Sequence, residues 1–219
     1  MDRSPRVARA PASSAIVRRG DGLAAILRPE INVCVWRRAL APRLLEWLAQ
    51  LGRGLVHDAA CDVSAARPSV SDLFAGLPDG AEARAWAADV ASLATRFAGV
   101  VGAPSLRASL ATVVTDKCRK LHSDYKRVRL VCTYAGPGTE WLDDRDVDRD
   151  ALRRQHPSIE AANARVVRRG ARVHRTGAGD VLLLKGELHA GNEGRGAIHR
   201  SPPIELTGER RLVLTLDML

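Results

Sequence analysis

The stretch Lys120–Leu142, KLHSDYKRVRLVCTYAGPGTEWL, constrains this chain more than any other. It sets His122 and Asp124 two residues apart, ahead of an apolar run and a Gly-Pro-Gly turn. Residues two apart on an extended backbone project to the same side, so one imidazole and one carboxylate can meet a single ion. A third ligand would have to come from a distant strand. His199, in GAIHRSPP, ends a short strand before a rigid Pro-Pro turn and is the candidate. Two imidazoles and one carboxylate on one face of a metal leave other positions open for oxygen and a co-substrate.

The segments on either side differ in texture. Before residue 106 the chain reads as a short strand, Ile31–Trp36, followed by helices. Leu40–Leu51 carries Leu44, Leu48 and Leu51 at helical spacing behind Pro42, and Ala81–Val100 carries Trp86, Val90, Leu93 and Phe97. Cys61–Val70 reads as irregular, and His57-Asp58 as an exposed loop pair. After residue 106 come short β-type runs: Leu110–Thr115, Val128–Tyr134, Ala164–Val173, Val181–Leu184, Gly196–His199 and Arg211–Leu216, with glycine and proline turns between them. Asp143–Ala162 interrupts them as a charged helical insertion with a solvated face. GNEGRG reads as a mobile loop. The expected fold is α+β: a distorted double-stranded β-helix, a jelly-roll or cupin-like barrel, with an N-terminal helical support. The expected division, within one integrated domain, is a disordered basic lead over 1–14, a mainly helical support over 15–105 and the metal-binding barrel over 106–219.

Charge narrows the function classes. The net charge is +9, yet only four of the 34 basic residues are lysine and aromatics make up 4%. With no aromatic stacking platform, nucleic acid is an unlikely partner, and a small anionic substrate suits the charge as well. No apolar run approaches the roughly 20 residues that cross a bilayer. Cys34, Cys61, Cys118 and Cys132 are widely spaced, as reduced thiols in a cytoplasm would be.

The order HxD, strand, glycine turn, long excursion, Gly-Asp-apolar strand, His, Pro turn, Gly-x-Arg, strand resembles the double-stranded β-helix of the iron(II)/2-oxoglutarate-dependent dioxygenases. That resemblance implies His122, Asp124 and His199 as iron ligands. It implies Arg210, or failing it Arg211, as the arginine that holds the co-substrate. Tyr134 could add a hydrogen bond to the co-substrate carboxylate, and Glu140 could shape the pocket mouth. The stretches CRKLHSDYKRVRLVCTYAGPGTEWL, LLLKGE, IHRSPP and ERRLVLTLD are also similar to the bacterial domain-of-unknown-function family 1826.

A second reading starts from Cys118. C-x3-H-x-D places a thiol near His122 and Asp124, and with His199 these four could close a tetrahedral zinc site in a non-enzymatic metal-homeostasis protein. His189 is a spare ligand candidate. Ser201 lacks the surroundings of a nucleophile elbow.

Overall fold

The computed structural model describes residues 12–116, 118–205 and 207–219. Its centre is a seven-stranded sheet. In chain order the strands are β1 (Ser14–Val17), β2 (Val33–Trp36), β3 (Asp58–Ser64), β4 (Ser105–Val113), β5 (Val128–Ala135), β8 (Val181–Lys185) and β10 (Arg211–Met218). They lie in the spatial order β1-β2-β8-β5-β10-β4-β3. All neighbours pair antiparallel except β1 and β2. A small sheet of β6 (Glu140–Trp141), β7 (His174–Arg175) and β9 (His199–Arg200) has the order β7-β6-β9, and a bridge from His122 to His199 extends it.

Side-chain alternation gives the large sheet two unlike faces. On β10, Leu212, Leu214 and Leu216 join the larger core with Leu130 and Cys132 of β5. That core is closed by α1 (Pro42–Gly54) and α2 (Ala81–Val101). The buried residues of α2 recur every three to four positions, Trp86, Val90, Leu93 and Phe97 among them, as an apolar stripe on a sheet requires. Trp86 is fully buried and meets Phe74, Tyr134 and Trp47 edge-on, at centroid distances of 4.9, 5.5 and 6.1 Å. α1 lies close enough to β5 that a Cβ on Gly52 would stand 2.9 Å from that of Ala135. On the other face, Val33, Val35, Val131, Leu182, Leu184 and Val213 pack with Trp141 of the small sheet in a core between the two sheets.

Several expectations need correction. The boundary at 105/106 does not divide the sheet: β1, β2 and β3 come from before it and pair within the same sheet as the later strands. Of the expected lead, residues 1–11 lie outside the described residues. Ser13 is buried and donates to the Asp143 carboxylate, and Ser14 begins β1. Cys61–Val70 opens as strand: Cys61 and Val63 point inward while their neighbours are exposed. Asp and Ala at alternate positions hid that periodicity. Asp58 belongs to this strand, and the His57 ring contacts the Leu73 carbonyl at 2.7 Å.

The expected strand over 164–173 starts inside α4 (Ile159–Val166). Ser158 caps that helix, and its buried Ala162 and Val166 are four residues apart. The insertion's face is not wholly solvated, since Asp143 and Asp146 are buried. The glycine-rich loop is tethered: the Glu187 carboxylate accepts from Gly194 and Gly196 backbone N–H groups, and buried Asn192 donates to the carbonyls of Lys185 and Gly186.

Candidate metal centre

His122 and His199 lie side by side because their backbones exchange two hydrogen bonds, of 3.1 and 3.0 Å. Their ring centroids are 4.6 Å apart. Each imidazole is oriented by the chain two residues behind it. Nδ1 of His122 meets the Lys120 carbonyl at 2.7 Å, and Nδ1 of His199 meets the Ala197 carbonyl at 3.0 Å. A carbonyl can only accept, so both rings carry hydrogen on Nδ1 and keep the Nε2 lone pair free. Both Nε2 atoms face Asp124, at 3.7 Å from Oδ1 for His122 and 3.5 Å from Oδ2 for His199. The three ligand atoms all lie within 4.8 Å of one another.

The electrostatics favour a ligand state. Burial pushes the His122 pKa down, and His199 beside it pushes the same way, so the ring is neutral. Burial alone would raise the Asp124 pKa. The His199 ring beside it, Arg129 and His122 favour its charged form, outweigh that and hold it well below the usual carboxylate range.

Behind Asp124 stands Arg129. It donates to Asp124 Oδ2 at 2.8 Å and forks onto both oxygens of Asp217, also at 2.8 Å. Arg129 and Asp217 are register partners on β5 and β10, on the face opposite the leucines. This pair was missed in the sequence. The available signal was a charged residue placed on the inward parity of each of two otherwise apolar strands.

The two candidate arginines separate cleanly. Arg210 donates to the Leu55 carbonyl at 3.0 Å, away from the centre. Arg211 turns inward and is 3% exposed. It donates to the Pro137 carbonyl at 2.7 Å and to the hydroxyls of Ser201, Thr139 and Thr133 at 2.7, 2.9 and 3.2 Å. All these partners are neutral oxygens, and burial lowers its pKa to about 10. The Gly-Pro-Gly turn makes this possible. A Cβ on Gly136 would stand 1.9 Å from the Arg210 carbonyl oxygen, so only glycine admits β10 at that distance, with Pro137 offering its carbonyl to Arg211.

Tyr134 does not reach the centre. The register of β5 against β10 shifts between Leu212 and Val213, and Tyr134 joins Ala135 on the helix side. Its hydroxyl donates to Asp89 at 2.7 Å. Glu140 is a buried tie rather than a free acid, paired with Arg175 and Arg200 from the flanking strands. Cys118 is exposed, and its sulfur is not among the converging ligand atoms. His189 lines a separate cavity with Leu27, Val101 and Met218. Among the described residues no fourth histidine, cysteine or carboxylate joins the three, so the closed four-ligand zinc cage is not formed. His174 is half-buried and stacks on Trp141 at 4.4 Å.

No curated protein matches the chain. Solved structures similar to it include a bsmA homolog from Methylobium petroleophilum PM1, at 12% identity, 92% coverage of each chain and a TM-score of 0.48. An Fe(II)/(alpha)ketoglutarate-dependent dioxygenase, TqaL, is similar at 14% identity, over 82% of this chain and 75% of that one, with a TM-score of 0.45. A Pseudomonas putida prolyl-4-hydroxylase is similar at 12% identity, over 91% and 95%, with a TM-score of 0.44. Likeness that faint identifies neither a substrate nor a reaction. The sequence pattern described as Protein of unknown function (DUF1826) matches residues 18–217, nearly the whole chain, and the chain belongs to that family.

Proposed function

We propose that this protein is a non-haem iron(II)-dependent oxygenase that uses a 2-oxo acid such as 2-oxoglutarate. The observation that carries the proposal is the donor set: two imidazole Nε2 atoms and one carboxylate oxygen converging with no fourth protein ligand. That set suits iron(II) with open positions better than it suits structural zinc, which takes four protein ligands and often thiolate. Bound there, iron(II) would supply oxygen activation coupled to oxidative decarboxylation of the 2-oxo acid.

The chain's own residues do the rest. Lys120 and Ala197 lock the tautomers of the two histidines through their carbonyls. Arg129 orients the Asp124 carboxylate by occupying Oδ2. Arg211 is a buried cation without a carboxylate partner among the described residues, and it would hold the distal carboxylate of the co-substrate by charge-assisted hydrogen bonds. The hydroxyls of Thr133, Thr139 and Ser201 surround it and could re-orient toward that carboxylate. The apolar core between the sheets, with Val131, Leu182 and Val213, keeps bulk water from that side.

The test is anaerobic titration with iron(II), then with 2-oxoglutarate, followed by air and assay of succinate. One iron per chain, a visible absorption that needs both additions, and succinate release are expected. Zinc bound through sulfur, or no 2-oxoglutarate-dependent change, would end this reading. Arg211→Met should retain iron and weaken 2-oxoglutarate by about 2 kcal/mol, the scale of a hydrogen-bonded charge. Arg210→Met should change neither.

A further inference from the structure

The insertion between the strands of the small sheet builds a second concave surface. α3 (Arg149–Arg153) and α4 pack on one another, and an antiparallel bridge from Val147 to Val167 closes the base of the hairpin. Beside it lies a cleft of about 890 Å³, lined by Arg154, Arg165, Arg168, Arg169, His156 and Asp148 among others.

The charges of this cleft are not spent internally. Asp148 is its one carboxylate, and Oδ1 of that group is occupied as the cap of α3, accepting from the Asp150 and Ala151 N–H groups at 3.0 and 2.9 Å. Arg168 gives Nε to the Val147 carbonyl, and the ring of His156 meets the Ala151 carbonyl. Arg154 and Arg168 act on Asp148 by charge alone, lowering its pKa, and exposed Arg165 and Arg169 have no hydrogen-bond or ion-pair partner among the described residues. One arginine in the last turn would answer the dipole of α4, but four around one cleft exceed that role.

A second cavity, of about 540 Å³, provides the contrast. It too has two arginines, Arg119 and Arg200, but Arg119 pairs with Asp116 and Glu160, and Arg200 pairs with Glu140. In this cavity each arginine meets a carboxylate within ion-pair distance, whereas Arg165 and Arg169 of the larger cleft meet none among the described residues.

The geometry points to a binding site in this cleft for a small anion carrying two or more phosphates. A guanidinium presents a planar fork that matches phosphate oxygens two at a time. Two unpaired forks, with Arg154 and Arg168 beside them sharing one carboxylate, outnumber what a single carboxylate or phosphate can use. The ligand would be held outside the metal centre, since none of His122, Asp124 and His199 lines the cleft.

The test is calorimetric titration of the full chain with sodium tripolyphosphate, at low and at physiological salt. The titration is repeated on the double variant Arg165→Gln/Arg169→Gln, on Arg43→Gln/Arg84→Gln as a charge-matched control, and on His199→Ala. The wild type should bind one tripolyphosphate. The cleft variant should bind about tenfold or more weakly, the control within about twofold of wild type, and His199→Ala as wild type. Thermal midpoints should be unchanged, because the substituted arginines have no partners among the described residues. Equal losses in the cleft and control variants would reduce the effect to net charge and overturn the assignment. Loss in His199→Ala would move the anion to the metal centre and also overturn it. So would a wild type that ignores tripolyphosphate and binds only an oligonucleotide. None of these outcomes depends on whether iron or 2-oxoglutarate binds, so this site stands or falls apart from the oxygenase reading.

Discussion

The two faces of the seven-stranded sheet come from the same strands and differ in almost every physical respect. Toward α1 and α2, β5 and β10 present Leu130, Cys132, Leu212, Leu214 and Leu216, packed with Trp86 and Phe97. Toward the small sheet the same strands present Arg129, Thr133, Arg211, Thr215 and Asp217 alongside Val131 and Val213. One face excludes water and carries stability. The other keeps buried charge, which is costly unless it is paired or has a use. Arg129 is paired with two carboxylates, whereas Arg211 meets only neutral oxygens, and such a residue invites a ligand. Stability and chemistry are thus separated by side-chain parity rather than by domain.

If that separation is real, substitutions on the two faces should affect different observables. The largest effect belongs to the helix face. Trp86→Ala removes a fully buried indole and its three edge-on aromatic contacts, and should cost about 3–5 kcal/mol of unfolding free energy in urea. Metal affinity per folded molecule should be unchanged. Coupled loss of both would break the comparison.

His199→Ala is the counterpart on the site face. It removes a ligand while leaving the β9 backbone bonds to His122 in place. Metal affinity should fall by about a hundredfold or more, beyond the outer-shell range, with the thermal midpoint of the metal-free protein close to wild type. Arg129→Met sharpens the picture. It touches no metal directly but frees the Asp124 carboxylate and leaves Asp217 with Lys126 at 3.4 Å. Metal affinity should drop by about 10–100-fold, measured by competition with a chelator. An effect on stability alone would make Arg129 structural.

What could be read from the chain follows the same division. The triad was legible because HxD on an extended backbone obeys simple geometry, and the third histidine stood before an unmistakable turn. The strands β5, β8 and β10 were legible because short apolar runs stood between glycine and proline turns. The choice between Arg210 and Arg211 was not, because it depends on where β10 begins and on how closely Gly136 lets two backbones approach. β3 escaped because Asp and Ala sit on its exposed parity, and the C-terminal end of α4 because the run ARVVRR that contains it reads as a strand. The sheet's inclusion of β1 and β2 is a matter of long-range pairing that no local pattern encodes.

Tyr134 gives the finest test of the two faces, since one residue of slip in β5 would turn it from the helix core into the site. Its hydroxyl donates to an Asp89 carboxylate that Arg38 already holds through Nη2 at 2.8 Å. Tyr134→Phe therefore removes one bond to a charge that keeps its main partner. The ring and its contact with Trp86 remain. The expected loss is about 1.5 kcal/mol of stability, at the low end for a hydrogen bond to a charged group. Affinity for 2-oxoglutarate should be that of the wild type. If instead 2-oxoglutarate weakens while stability holds, Tyr134 faces the metal side and the side-chain parity assigned to β5 falls.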